Sequence, residues 1–235
     1  MNKAPLLIFG GTGAIGTAMA HLAARVKNAP PVHVVTRSGH GTEGTTTHAI
    51  GEHTPEALDA LAADLPEISG LLITLGTLHG PNHRPEKTFK HLSPEAMAEV
   101  YATNTVLPAL ILSRFLPNLP RDAPAFAAAL SARVGSTSDN NLGGWVSYRA
   151  SKAALNQVIR TFAIELKRTH PKARLIGLHP GTVASPLSEP FQSNVPKGKL
   201  FSPEKSAAHL WEVIQSTSAA QSGRCFAWDG QEIAP

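Results

Sequence analysis

"LLIFGGTGAIG", residues 6–16, runs four apolar side chains straight into a glycine cluster and then into residues that suit a helix. A short unbroken apolar run bounded by turn residues reads as a strand buried on both faces. Gly11, Gly13 and Gly16 satisfy G-x-G-x-x-G, and Gly10, Gly13 and Gly16 also satisfy G-x-x-G-x-x-G. Glycines permit the tight turn and let the backbone approach a pyrophosphate, while the N-terminus of the following helix offers unpaired N–H groups and the positive end of its dipole. Position sharpens the reading, because this is the first strand, first turn and first helix of the chain. The backbone of Gly10, Gly11, Thr12, Gly13, Ala14, Ile15 and Gly16 is expected to cradle the phosphates of a dinucleotide.

Outward from that turn, apolar β-rich stretches alternate with helical ones. Strands are expected over 5–9, 32–36, 46–50, 70–75, 125–130, 174–179 and 224–228, and helices over 14–27, 55–63, 93–116, 148–169 and 203–217. Near-continuous apolar strands, each followed by a helix, indicate an α/β Rossmann fold: a doubly wound parallel sheet of about seven strands with helices on both faces. Thr54-Pro55, Ser93-Pro94 and Ser202-Pro203 each place a capping hydroxyl before a first-turn proline, with Glu56, Glu95 and Glu204 following. With no repeat and no interdomain linker, residues 1–235 are expected to form a single domain. The Pro- and Ser-rich segment 182–203 lies between a strand and a helix of that sheet, so a long loop is expected there, with 183–202 acting as a substrate lid.

Composition narrows the function classes. Apolar residues make up 42% and charged residues 16%, and no apolar run approaches a membrane span, so a membrane protein is not expected. "MNKAPLLIFGG" has no small-residue cleavage site and reads as a first strand, which favours the cytoplasm. The single cysteine, Cys225, excludes an intrachain disulfide and a cysteine-based zinc site. His79 and His83 lie four apart in a Gly- and Pro-containing segment that should not hold a helical ligand pair, so no metal is expected. The net charge of +4 is scattered and the pI is 9.4, which suits a small anionic ligand better than nucleic acid.

At the end of the second strand, where an acidic residue would select NAD by bonding the ribose 2′-hydroxyl, the chain reads "VVTRSGHG". Arg37 can pair a 2′-phosphate bidentately and stack on adenine, so NADP (NADPH) is favoured over NAD. "YRASKAAL" then places Tyr148 and Lys152 four apart, on one helix face. An ammonium beside a phenol favours phenolate, lowering a pKa that starts at about 10. The pair reads as an acid/base beside a hydride carrier.

These motifs resemble those of the short-chain dehydrogenase/reductase family over the whole chain, and more narrowly its C-factor-like branch and carbonyl-reductase relatives. The resemblance rests on the glycine turn, "TNTVLPALIL" (103–112), "SARVGS" (131–136), "GGWVSYRASKAALN" (143–156), "LHPGTVASPLS" (178–188) and "SGRCFAWDGQEI" (222–233). It implies that Tyr148 is the catalytic tyrosine, Lys152 its lysine and Asn104 the helix asparagine that supports a water relay. It also implies that Pro180, Gly181, Thr182 and Val183 face the nicotinamide. Three features depart from the family pattern. Ala14 replaces the middle glycine, "ITLG" (73–76), ending in the cofactor-contacting Gly76, stands for "NNAG", and "AIGEHT" lacks the acid beside adenine. Ser131 is the candidate for holding the substrate oxygen, with Ser136 the alternative. Relatives often read Ser-Ser where this chain reads Ser131-Ala132, and the path to Tyr148 is longer than usual.

The reading is an NADP-dependent oxidoreductase interconverting a carbonyl and an alcohol on an unnamed small molecule. The pocket is expected to form from segments 76–92, 136–147 and 183–202. The family implies a homodimer or homotetramer built on the helices after Asn104 and after Tyr148. A rival from another class is a dinucleotide-bound signalling or regulatory protein with little catalysis.

Overall fold

The computed structural model of the protein describes residues 3–81 and 83–235. Met1 and Asn2, at the head of the stretch read for a leader, lie outside it. The apolar tetrad of the opening motif forms β1 (Leu6–Phe9), and the glycine turn leads into α1 (Ala14–Arg25). There follow β2 (Val32–Thr36), β3 (Thr46–Ala49), α2 (Pro55–Asp64) and β4 (Gly70–Ile73). The chain continues through α3 (Pro94–Tyr101), α4 (Leu107–Phe115), β5 (Ala125–Leu130), α5 (Val146–Thr169) and β6 (Ala173–His179). It ends with the short pair β7 (Thr182–Val183) and β8 (Leu200–Phe201), α6 (Pro203–Ser216), β9 (Cys225–Ala227) and β10 (Glu232–Ile233).

The main sheet has eight strands in the order β3-β2-β1-β4-β5-β6-β9-β10. All its pairs are parallel except β9 with β10, whose hairpin adds an antiparallel edge to the seven strands expected. β10 is two residues long and pairs Ile233 with Cys225, too little periodicity to stand out in the sequence.

Strand alternation divides the core into two layers. Leu7 and Phe9 face one side, where α2, α4 and α5 supply Leu58, Ile111, Phe115, Leu155 and Ile159. Leu6 and Ile8 face the other, against Met19 and Ala23 of α1 and Leu210 and Val213 of α6. The central strands β1 and β4 are thus buried at consecutive positions because helices cover both faces, whereas the edge strand β3, Thr-Thr-His-Ala, is partly exposed. The expected caps form: Thr54, Ser93 and Ser202 accept from the amides of Ala57, Ala96 and Lys205, each at 3.2 Å.

The helix expected over 93–116 is broken. Residues Ala102–Val106 form a π turn in which the Leu107 amide reaches back to the Ala102 carbonyl. Pro108, two residues into α4, has no N–H to return to the carbonyl of Asn104, four residues before it. A missing i to i−4 bond relaxes into a wider turn, and such turns recur at functional sites.

Strand order reverses between β1 and β4, and in such sheets the crevice outside the carboxyl ends at the reversal is where ligands bind. The 183–202 segment rises beside that crevice. It is pinned at its neck by the β7–β8 pairing and carries a short 3-10 helix, Glu189–Asn194.

Candidate functional site

The turn after β1 depends on glycine at three places. Gly10 has φ +89°, a left-handed conformation that only glycine adopts freely. A Cβ on Gly11 would lie 2.7 Å from Val34 Cβ, and one on Gly16 would lie 2.1 Å from the Gly10 carbonyl oxygen. A Cβ on Gly13 would meet nothing closer than 3.4 Å, so packing alone does not demand glycine there. Gly13 caps α1 without a side-chain hydrogen bond, so the first-turn amides are left to whatever enters the crevice. Thr74, in the "ITLG" segment that lacks the family's asparagines, donates its hydroxyl to the Phe9 carbonyl at 2.8 Å and so ties β4 to the glycine turn by another route.

This turn forms one wall of a cavity of about 480 Å³, with Thr12, Gly13, Ala14 and Ile15 facing Gly76, Thr77, Tyr148, Lys152 and Pro180. Arg37 lies at the end of β2 with its side chain exposed, and its charge helps hold the half-buried His53 imidazole below its usual pKa, after burial itself. Asn104 is fully buried and spans elements. Its side chain accepts from the Thr77 amide (2.8 Å) and donates to the Thr77 carbonyl (2.8 Å) and the Ser151 hydroxyl (3.1 Å), joining the loop after β4 to α5. A Cβ on Gly76 would stand 3.5 Å from both Asn104 Oδ1 and Lys152 Nζ, so Gly76 occupies the gap between them.

The structure brings Tyr148 and Lys152 together, with Nζ 5.9 Å from the phenol ring centroid. Lys152 is buried and donates to the Leu130 carbonyl at 2.8 Å. Burial pushes its pKa down to about 8 and pushes the Tyr148 phenol up to about 12. The phenol is therefore not lowered here as the spacing alone suggested: the ammonium lies toward the ring and Leu130, and desolvation prevails. A phenol held protonated at neutral pH suits proton donation.

Neither candidate serine presents a free hydroxyl. Ser131 donates to Asn156 Oδ1 at 2.6 Å, an oxygen that also accepts from Cys225 Sγ, and Ser136 donates to the Pro235 carbonyl at 3.2 Å. A hydroxyl carries one proton, so each donor is already used. Ser131 and Ala132 border a second cavity of about 340 Å³ beside the first, shared with Tyr148, Trp145, Leu187 and Phe191. Thr182, Pro180, Gly181 and Val183 line it too.

Sequence reasoning missed Glu86 and Trp145. Glu86 is buried, and its carboxylate accepts from the Ser147 amide (3.2 Å) and the Ser147 hydroxyl. Its backbone carbonyl accepts from the Trp145 amide at 2.6 Å. Trp145 takes a left-handed conformation, φ 53°, packs on Phe191 with centroids 5.1 Å apart and meets Tyr148 edge-on at 6.3 Å. Both residues lie in irregular segments with no period to mark them. His79 and His83 have different partners: His79 Nε2 is 3.2 Å from the Pro186 carbonyl, and His83 Nδ1 lies 3.3 Å from Glu99.

A family model described as short chain dehydrogenase matches residues 5–196. The C-signal protein of Myxococcus xanthus is 32% identical over 138 residues, covering 58% of this chain and 77% of that one. The 1-hydroxy-2-glutathionyl-2-methyl-3-butene dehydrogenase of a Rhodococcus species is 32% identical over 175 residues, 74% of each chain. Among solved structures, the carbonyl reductase Sniffer of Drosophila melanogaster superposes with a TM-score of 0.84 at 21% identity, over 100% of both chains. An NADPH-bound carbonyl reductase from chicken fatty liver does so with a TM-score of 0.82 at 22% identity, also over 100% of both.

Proposed function

The chain belongs to the short-chain dehydrogenases, NAD(P)-dependent oxidoreductases of CH–OH and C=O groups, and from that premise we propose that it is an NADPH-dependent carbonyl reductase with Tyr148 as its acid. The observation that carries the reading is the joint placement of Tyr148, Lys152 and the uncapped start of α1 around one crevice. The glycine turn fits a pyrophosphate, since Cβ atoms at Gly11 and Gly16 would clash with Val34 and the Gly10 carbonyl and keep the turn from closing over the start of α1, and Arg37, exposed at the end of β2, would take a 2′-phosphate. When bound, the dinucleotide supplies the hydride. Tyr148 gives its proton to the carbonyl oxygen as negative charge develops there. The Lys152 charge steadies the phenolate left behind and would bond the ribose of a bound nicotinamide nucleotide. Asn104 holds the loop after β4 against α5 and, with the π turn, supports a water relay that would return a proton to the Tyr148 phenolate. Pro180, Gly181, Thr182 and Val183, which line the second cavity, would hold the nicotinamide end of a bound cofactor.

Ser131 can serve the carbonyl oxygen only by releasing Asn156, so Tyr148 carries the larger share, and Ser136 is further from the task. The apolar side chains Leu187, Phe191 and Val195 of the 183–202 segment close over the second cavity and exclude water from the transfer. Assembly into a homodimer or homotetramer would use α4 and α5, where Ile164 is half exposed beside a groove lined by Leu116 and Phe162. Among the described residues no helix is long and apolar enough to cross a membrane. The cytoplasm as its location and a single domain over 1–235 belong to the proposal. Similarity to C-signal and the committed Ser131 hydroxyl favour one rival, a nucleotide-bound regulatory protein with little catalysis. Steady-state NADPH oxidation with a panel of aldehydes and ketones separates the two: turnover supports the reductase, and NADPH binding without turnover on any carbonyl supports the rival.

A further inference from the structure

The cavity beyond Tyr148 is apolar along most of its wall, with Ile15, Leu78, Val134, Trp145 and Phe191 among its lining. Its hydroxyls are largely committed. Ser131 donates to Asn156, while Ser185 and Ser188 both donate to the Val183 carbonyl. Tyr148, Thr182, Arg133 and His179 remain as side chains able to face a ligand there. Among the described residues Arg133 is the one charged side chain on the wall, and no Asp or Glu lines it. A guanidinium on an otherwise apolar wall is a recognition element for an anion, because its planar fork matches a carboxylate.

The groups around it fit that role. Arg133 Nη1 stands 3.5 Å from Asp139 Oδ2, with both side chains 45% exposed. A pair that long and that wet contributes little and can be exchanged for a better partner. His179 lies close enough to Arg133 for the guanidinium to depress its imidazole, although burial is the larger cause and Asp229 acts in the opposite sense; the pKa falls to about 4. The ring is therefore neutral at physiological pH, and among the described residues its buried Nδ1 has no partner. Arg133 directly follows Ala132, so its anchor lies next to the wall that Tyr148 shares.

We propose that the substrate is an aldehyde or ketone carrying a carboxylate, with Arg133 holding the carboxylate, Trp145 and Phe191 flanking the apolar body and Tyr148 meeting the carbonyl oxygen. Arg133 is thus a specificity-determining residue. Ionic anchoring at one end restricts the rotation of the carbonyl at the other, which a free serine hydroxyl at Ala132 would otherwise do. The turnover arm of this inference rests on the reductase reading; the binding arm does not.

Two measurements on the NADPH-loaded protein test it. In the first, 4-acetylbenzoate and its methyl ester are compared as substrates; they share the ketone and the ring and differ in the anion. The acid is expected to exceed the ester in kcat/KM by about tenfold, the equivalent of one good ionic contact, and Arg133→Met is expected to bring the ratio to near one. In the second, the redox-inert 4-isopropylbenzoate and its primary amide are titrated by calorimetry. The carboxylate should bind and the amide should not, and Arg133→Met should abolish the difference. An ester equal to or better than the acid, or carboxylate binding unchanged by Arg133→Met, would overturn the anchor. Carboxylate binding that depends on Arg133, with no turnover of either ketone, would sustain the anchor and count against the reductase reading.

Discussion

Replacing Glu86 should damage both stability and turnover, although the residue lies in an irregular loop and touches no expected ligand. Its carboxylate accepts two bonds from Ser147, one from the amide and one from the hydroxyl, at the first turn of α5 and one residue before Tyr148. Bonds to a carboxylate contribute about 1.5–3 kcal/mol each, and a negative group at a helix N-terminus about 0.3–1 kcal/mol more. Rehydration of the exposed neighbouring loop offsets part of this, so Glu86→Ala should cost about 2–4 kcal/mol. The Trp145 amide keeps its bond to the residue 86 backbone carbonyl, so the loss isolates the carboxylate. For a chain of this size that is a fall in Tm of about 5–15 °C. Glu86→Gln should lose about half as much, since an amide can serve the Ser147 hydroxyl while its NH₂ cannot accept from the amide. Thermal unfolding by circular dichroism reads the series, and kcat should fall with it because the start of α5 orients Tyr148. A Glu86→Ala protein within about 2 °C of the parent would show that the carboxylate caps nothing.

The remaining expectations concern cofactor choice, the lid and pH. Arg37→Ala should weaken NADPH binding by at least about tenfold while leaving NADH nearly unchanged, as read by calorimetry; equal affinities in the parent would contradict the 2′-phosphate assignment. Hydrogen exchange across 183–202 should slow when NADP and a substrate analogue are added, and slow exchange already in the free chain would rule out a moving lid. Burial holds His33, His48, His53 and His179 below their ordinary pKa of 6.5. The unfolded chain therefore binds more protons as the pH falls. Stability from these groups is whole above about pH 6.5 and is lost through the folded values, reaching about 4 at His179. Urea midpoints should decline from pH 7 to 4, and a flat or rising profile would refute the sign.

The parts of the site that could be read from sequence are those where backbone geometry leaves a residue pattern. The glycine turn is legible because Gly10 and Gly16 answer to a positive φ and to a 2.1 Å approach that no other residue satisfies. Tyr148 and Lys152 are legible because helical spacing places them on one face. The break at 102–106 was encoded by Pro108 but masked by the apolar period running through it, which is helical on both sides. The commitment of Ser131 was hidden for a different reason: its partner, Asn156, lies 25 residues away, and no local pattern tells a hydroxyl facing a substrate from one facing a helix. The same holds for Arg133 and Glu86, whose meaning depends on the cavity and the helix end that the fold brings to them.

The central claim is that Tyr148 is the acid of a carbonyl reduction, and the measurement that bears on it most directly is turnover by Tyr148→Phe with NADPH on whichever carbonyl the parent reduces. The substitution removes one hydroxyl and keeps the ring against Trp145, so folding and cofactor binding should persist. We expect kcat to fall by about 10²–10⁴, the range of a lost general acid, with NADPH affinity within about threefold of the parent. A Tyr148→Phe enzyme that keeps parent-like kcat would contradict the account.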